Sequence, residues 1–405
     1  MSQTITSTTE PAETPVLAPP LIVLIIISAL GPIALNICMP SMPGMQKAFD
    51  TSYAMVQLSL TFYLIAMAIS QIVFGPLSDR FGRRPLLIAG LSLFIVGSVF
   101  AALAPTIETL IAARFFQGLG GAAGLAIGRA IIRDCYSRGR SASMIGYVTM
   151  GMVVGPMVSP LAGGLLDESF GWHASFVAVV VVALPVLLIV LATLHETNTQ
   201  RESGAVFQPI VDGAFVLFRS SAFWCYALTL GFASAAFFSF LAAAPHLAVE
   251  VMGMSPSDYG LYFPLGAIGY MVGNFLTGQY SERIGPTPMI IAGSIMGLVA
   301  TFVMVALAMT GTIHPLALFV PMAFTALSNG LVLPNAIANC VSVRPDLAGA
   351  AAGLSGAIQL GIGAGATVLT GLVDQTGLLP LALIMFGSIL MATIFAFLGR
   401  GRLAA

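Results

Sequence analysis

Gly75-Pro76-Leu77-Ser78-Asp79-Arg80-Phe81-Gly82-Arg83-Arg84-Pro85 packs one acid and three arginines into a chain that is only 8% charged. A long apolar run ends just before it and another begins just after it. Charge this dense between two apolar runs reads as a tight loop at a membrane surface. Gly75 and Gly82 permit close backbone approach or positive φ, and Pro85 suits the first turn of the next helix. Short loops rich in Lys and Arg stay on the cytoplasmic side, so the arginines mark the inner face.

The rest of the chain agrees with that reading. Hydrophobic residues make up 58% of it, and the mean hydropathy is +0.98. Soluble domains are about 45–50% apolar and about 25% charged, so a soluble α/β protein is excluded. One spanning helix needs about 20 apolar residues, and a chain of 405 residues has room for about twelve with their loops. The net charge is −1 and the basic residues are spread over loops, which gives no footprint for nucleic acid. Cys38, Cys135, Cys225 and Cys340 are scattered, so neither a metal site nor a disulfide framework is predicted. No cofactor is expected. The spans hold no convergent His, Ser or Asp set, so an enzyme is not expected.

Residues 1–18 are rich in Thr and Pro and lack Lys and Arg. A secretory leader needs a basic start, so this segment reads as a disordered cytoplasmic tail. Apolar runs follow near 19–41, 53–75, 86–104, 108–132, 143–166 and 175–194. A polar link covers 195–221, and a second set of runs lies near 222–244, 260–280, 288–310, 315–342, 350–372 and 378–398. The organisation predicted is a six-helix bundle over 19–194, a cytoplasmic linker over 195–221, a second bundle over 222–398 and a short tail, 399–405. With the start inside, twelve of the 15 basic residues fall in inner loops, the linker or the tail. Lys47 alone falls outside, and Arg114 and Arg129 lie within a span. This asymmetry predicts both termini in the cytoplasm. Gly278-Gln279-Tyr280-Ser281-Glu282-Arg283-Ile284-Gly285 repeats the opening stretch in weakened form after the eighth run, which points to internal duplication. Within the linker, Phe207–Phe218 reads as a short helix lying on the inner surface.

The loop 75–85 resembles the G-x-L-(S/A)-D-R-x-G-R-R/K pattern of the major facilitator superfamily. That resemblance implies two six-helix bundles around a central cavity and a gating charge relay of Asp79, Arg83 and Asp134, with Arg80 and Arg84 in the same loop. A plain topology signal is the other reading of the loop. Arg114-Phe115-Phe116-Gln117-Gly118 matches the family's R-F-x-Q-G signature, which implies a cavity-lining Arg114 tied to proton coupling. On residue chemistry alone, Arg114 could instead snorkel to the outer surface. Gly155, Pro156 and Gly163 are similar to a glycine–proline signature of antiporters, which implies a hinge; generic small-residue packing is the alternative. Arg129-Ala130-Ile131-Ile132-Arg133-Asp134 resembles the drug exporters of the bicyclomycin- and chloramphenicol-resistance type. So do Ala244-Pro245-His246, Pro334-Asn335-Ala336 and Gln359.

Asn36-Ile37-Cys38-Met39-Pro40-Ser41-Met42-Pro43 departs from that subfamily, which carries Asp-x-Tyr-x-Pro-x-x-Pro. Pro40 and Pro43 match, but Asn36 replaces the acid and cannot titrate. All sixteen acids fall in tails, loops or helix ends. The expectation is therefore an all-α membrane protein of twelve transmembrane helices in the inner membrane of a bacterium, acting as a monomer. It would export a small, fairly apolar compound by alternating access and proton antiport. An uncoupled facilitator or importer is the alternative that Asn36 raises. Asn36, Met39, Tyr63, Arg114, Gln117, Asn335 and Gln359 are the expected binding or coupling residues. Asp79, Arg80, Arg83, Arg84, Asp134, Gly155 and Pro156 are the expected gate.

Overall fold

A computed structural model describes residues 19–136, 138–198, 208–373 and 377–400. The expected tails and residues 199–207 of the linker fall outside those ranges, wholly or in part.

The described chain is helical from end to end. In the first bundle α1 (Leu21–Ile37) and α2 (Met42–Ala48) meet at a 57° bend. The bend spans Cys38–Ser41 and contains Pro40, which removes a backbone donor. There follow α3 (Tyr53–Phe81), α4 (Arg83–Ala102), α5 (Ile107–Gly121) continued by α6 (Ala123–Cys135), α7 (Arg138–Phe170) and α8 (His173–Thr193). A linker helix, α9 (Gln208–Phe218), stands where the sequence predicts one. The second bundle holds α10 (Ser221–His246), α11 (Pro256–Tyr262), α12 (Pro264–Ile284), α13 (Pro286–Met309), α14 (Pro315–Ser342), α15 (Ala348–Leu372) and α16 (Leu378–Gly399).

Among the described residues, ten spans are long and apolar enough to cross a membrane, and the bent α1–α2 pair makes eleven. In the second bundle α12 does not meet that test, because Asn274, Gln279, Ser281, Glu282 and Arg283 dilute its apolar character. The outer surface is apolar, with Phe100 and Phe275 each 65% exposed. In water such a surface would aggregate; in a bilayer it meets acyl chains.

Local rules set the helix ends. Ser52, Thr106, Ser220 and Ser255 cap their helices with side-chain oxygens. Proline opens α11, α12, α13 and α14. Gly82, between α3 and α4, has φ 101° and ψ 151°. Gly285, between α12 and α13, has φ 91° and ψ 152°. This region is accessible only to glycine, so the repeat seen in sequence is a repeat of backbone geometry.

Within the first bundle α7 packs along α1. Gly151 and Gly155 face the side chains of Ile25 and Ile33, and Gly163 faces the backbone of Ile37. In the second bundle α12 and α13 pack on α14, and α15 and α16 pack on α10. The two bundles meet mainly through α3 against α15 and α7 against α11.

Candidate functional site

Three groups of polar residues stand out in an otherwise apolar interior: the α3–α4 loop, a buried arginine, and the wall of a central cavity.

The loop comes first. Arg83 is the first residue of α4 and is only 6% exposed. Its Nη1 reaches Asp79 Oδ1 at 2.5 Å and donates to Ser78 Oγ at 2.6 Å. Its Nε and Nη2 donate to the two oxygens of Asp134 at 2.9 and 3.4 Å, a forked contact that only arginine makes. A guanidinium between two carboxylates has its charge met at close range and its donors bonded, which makes its burial tolerable. The structure thus brings Asp79, Arg83 and Asp134 together. Arg80 lies over the ring of Phe81, 5.7 Å from its centroid, and Arg84 Nη2 donates to Leu191 O at 2.9 Å.

Sequence reasoning overlooked the segment that closes this loop. Just after α8, Glu196 Oε1 accepts from Arg83 N at 2.8 Å and Oε2 from Arg84 N at 3.3 Å. Those are the first two N–H groups of α4, which have no partner within the helix, and a carboxylate there also meets the positive end of the helix dipole. Thr197 Oγ1 donates to Asp134 Oδ2 at 3.1 Å, and Asn198 Nδ2 to Asp79 O at 2.7 Å. The signal was the polar stretch His195-Glu196-Thr197-Asn198 directly after an apolar run. Its partners lie 63 to 119 residues earlier and cannot be read locally. The partners named here for Asp79, Arg83 and Asp134 belong to the first bundle or to the start of the linker that follows it, and none to the second bundle.

Arg114 is 1% exposed and lies neither on the cavity wall nor at the lipid surface. The two sequence-based positions are both replaced by a third, inside the first bundle. Its Nη1 donates to Ala34 O at 3.1 Å and to Gln117 Oε1 at 2.5 Å. Its guanidinium sits 4.1 Å from the ring centroid of Tyr63. Ala34 carries one of the last four carbonyls of α1, which lack helical partners because the chain bends at Cys38. The bend creates a negative helix end inside the first bundle, and Arg114 is the cation that meets it. Gln117 Nε2 donates in turn to Ser98 Oγ at 2.7 Å, and Tyr63 Oη to Gly31 O at 2.9 Å. Tyr63, Arg114 and Gln117 therefore form one cluster, away from the cavity.

The cavity lies between the bundles, has a volume of about 310 Å³, and takes its walls from both. Asn36, Pro156 and Gln359 line it, as do Met67, Phe238, Tyr270 and Asn329. No Asp, Glu, Lys, Arg or His is among its lining residues. Gln359 Nε2 donates to Ser234 Oγ at 2.7 Å, tying α15 to α10. Met39, expected to face substrate, is fully buried in the α1–α2 bend and does not line the cavity. Asn335 is also away from it, accepting from Ser281 Oγ at 2.6 Å and donating to Leu331 O at 2.7 Å. Gly155 packs on Ile33 beside the cavity-lining Pro156.

The end of the molecule opposite the arginine loops is closed by contacts between bundles. Gln57 Nε2 donates to Ala242 O at 2.7 Å, and the hydroxyls of Thr61 and Thr367 are 2.6 Å apart. Ser257 N donates to Glu168 Oε1 at 2.9 Å. Lys47 Nζ pairs with Glu250 at 2.8 Å, and the rings of Tyr53 and His246 pack at 4.6 Å.

Known proteins are similar to this chain along most of its length. An uncharacterised transporter of Bacillus subtilis, YdgK, is 31% identical over 92% of this chain and 93% of its own. Multidrug resistance protein D of Escherichia coli is 30% identical over 90% of this chain and 91% of its own. The crystal structure of a D-xylose–proton symporter superposes with a TM-score of 0.77 at 15% identity, covering 94% of this chain and 96% of that one, which shows a shared fold. The family model of the Major Facilitator Superfamily matches residues 24–368. With that match across most of its length, the two-bundle helical fold and the cavity between the bundles, the chain belongs to the major facilitator superfamily of membrane transporters.

Proposed function

We propose that the protein exports small, largely apolar compounds across a bacterial inner membrane by alternating access. The observation that carries this reading is the cavity between the bundles, walled by both and closed at one end by contacts between them. Rocking the bundles would break those contacts and expose the cavity to the other side. Its aromatic and methionine side chains repack around varied ligands. The relative named multidrug resistance protein D supports drugs as the cargo. In this reading the arginine-rich end is cytoplasmic, both termini lie on that side, and one chain suffices.

Export is driven by proton antiport. No carboxylate lines the cavity, so coupling runs through groups outside it: the Arg114–Gln117 cluster, or the Asp79–Arg83–Asp134 relay acting as gate. A second reading, an uncoupled facilitator, is favoured by Asn36, an amide in the cavity wall where the related exporters carry an acid. Everted membrane vesicles loaded with a pH-sensitive dye separate the two. An antiporter alkalinises the lumen when substrate is added and stalls when a protonophore collapses the gradient. Flux indifferent to both gradient and protonophore leaves the facilitator. No flux for any compound of a drug panel rules out drug export in either form.

A further inference from the structure

Two atoms in the cavity wall have no partner. Among the described residues, eleven buried side-chain nitrogens and oxygens lack a hydrogen bond. Of these, only Asn36 Oδ1 and Asn329 Oδ1 belong to residues that line the cavity. Asn36 is 2% exposed and Asn329 3%. The orientation of the Asn36 amide is dictated by chemistry, since its Nδ2 donates to Pro32 O at 2.8 Å and an oxygen there would meet a carbonyl. Both bare atoms are acceptors, and they come from opposite bundles, Asn36 from α1 and Asn329 from α14.

A buried acceptor without a donor is costly, because it has given up water and received nothing in return. Native proteins keep few such groups, and each one calls for an explanation. Neither oxygen is open to water in this state. The terminal torsion of asparagine is soft: the Asn329 amide, for which the structure shows no hydrogen bond among the described residues, can turn its oxygen toward a ligand filling the cavity beside it, and the Asn36 amide can do so by exchanging its bond to Pro32 O for one to the ligand. With no charged side chain in the walls, an ionic ligand would lose its hydration without compensation. A neutral ligand with donors would satisfy both oxygens.

We infer that Asn36 and Asn329 are the polar determinants of specificity, and that the cavity selects uncharged compounds carrying at least two O–H or N–H donors. Such a ligand bonds one bundle through each amide, so its binding registers the position of one bundle against the other. A compound of the same shape with acceptors only leaves both oxygens bare and is rejected, as sites built to hydrogen-bond a substrate reject analogues lacking the group. The inference rests on the cavity being the transport site.

The test uses the full chain in lipid nanodiscs, with matched neutral probes small enough for the cavity: resorcinol, with two hydroxyls, and its dimethyl ether, with none. Binding is measured by calorimetry against empty nanodiscs. Partition into an apolar cavity favours the ether, so a preference for the diol reports the acceptors. The expected result is at least fivefold tighter binding of resorcinol, the worth of one net hydrogen bond of about 1 kcal/mol. Asn36→Leu and Asn329→Leu should each remove about fivefold of that preference without weakening the ether, and the double variant should prefer the ether. Asn329→Asp keeps an acceptor and should keep the preference. Wild-type protein that prefers the ether, or binds neither probe, overturns the inference, as do leucine variants that retain the preference or lose both probes together. Uptake of the same drug panel into everted vesicles is scored separately. Donor-selective binding without uptake leaves the inference standing and removes the export reading; uptake without donor selectivity does the reverse.

Discussion

The two loops that follow the second helix of each bundle share a backbone and differ in nearly everything else. Each ends its helix on a glycine in a conformation closed to other residues, and the amides of Gly82 and Gly285 donate to Ser78 O and Ser281 O at 3.1 and 2.9 Å. In the first loop the next residue is Arg83, buried between Asp79 and Asp134. In the second it is Pro286, and Glu282 and Arg283 are exposed. The glycine and serine therefore build the turn, and the charges are an addition to it. Among the described residues, a carboxylate meets the start of the following helix at the first loop and not at the second. Arg83 and Arg84 offer N–H groups to Glu196, whereas Pro286 has none to offer.

The largest expected effect separates the charges. Arg83→Ala leaves Asp79 and Asp134 facing each other without a cation. Removing one partner of a buried pair costs about 3–5 kcal/mol; both carboxylates keep some solvent, so we expect the lower figure. Thermal unfolding in detergent should show the loss, and transport should cease. Arg283→Ala, in the exposed second loop, should stay within about 0.5 kcal/mol. Equal effects at the two positions would mean that the loops are functionally alike and that Arg83 serves topology only.

Next come the glycines, where the loops should behave alike in kind and unlike in degree. Alanine in this region of φ/ψ costs about 1–3 kcal/mol. At Gly285 a Cβ would touch only the ring of Pro288, at 3.7 Å, so Gly285→Ala should fall near the lower end. At Gly82 it would press on the Glu196 carboxylate, so Gly82→Ala should be worse by about another 1 kcal/mol. That excess should vanish in the Gly82→Ala, Glu196→Ala double variant. If the two single variants unfold at the same temperature, the Glu196 contact does not hold the loop.

What could be read without coordinates followed the local signals. Charge density at 75–85, the twelve apolar runs and the duplicated glycine–serine turn are all local in sequence. The positions of Arg114 and Met39 were not, because both depend on the bend at Cys38–Ser41. That bend ends α1 at Ile37, frees Ala34 O for Arg114, and folds Met39 into the core. A proline in an apolar run can kink a helix or end it, and only packing decides which. Glu196 was missed because a single acid after a span looks like any other helix exit. Asn329 was one polar residue among several on inner helices; its bare oxygen is a property of its neighbours.

The smallest effect tests whether Glu196 acts by charge or only by shape. Glu196→Gln keeps one acceptor oxygen but replaces the other with a donor. Glu196 Oε1 accepts from the amides of Arg83, Thr197 and Asn198, so an amide oxygen placed there preserves most of the bonds. The amide nitrogen would then face Arg84 N, where Oε2 now accepts at 3.3 Å. The loss is one long hydrogen bond and the attraction of a carboxylate for the N-terminus of α4, together about 1 kcal/mol. The charge component should shrink as salt is added, since exposed helix-end interactions are screened. We therefore expect a Tm deficit in Glu196→Gln that is clear at low ionic strength and narrows at high, with transport reduced rather than lost. No residue of the second loop offers a counterpart to remove. A deficit that does not change with salt would assign Glu196 to hydrogen bonding alone, and the contrast between the loops would then rest on Arg83 and its two carboxylates.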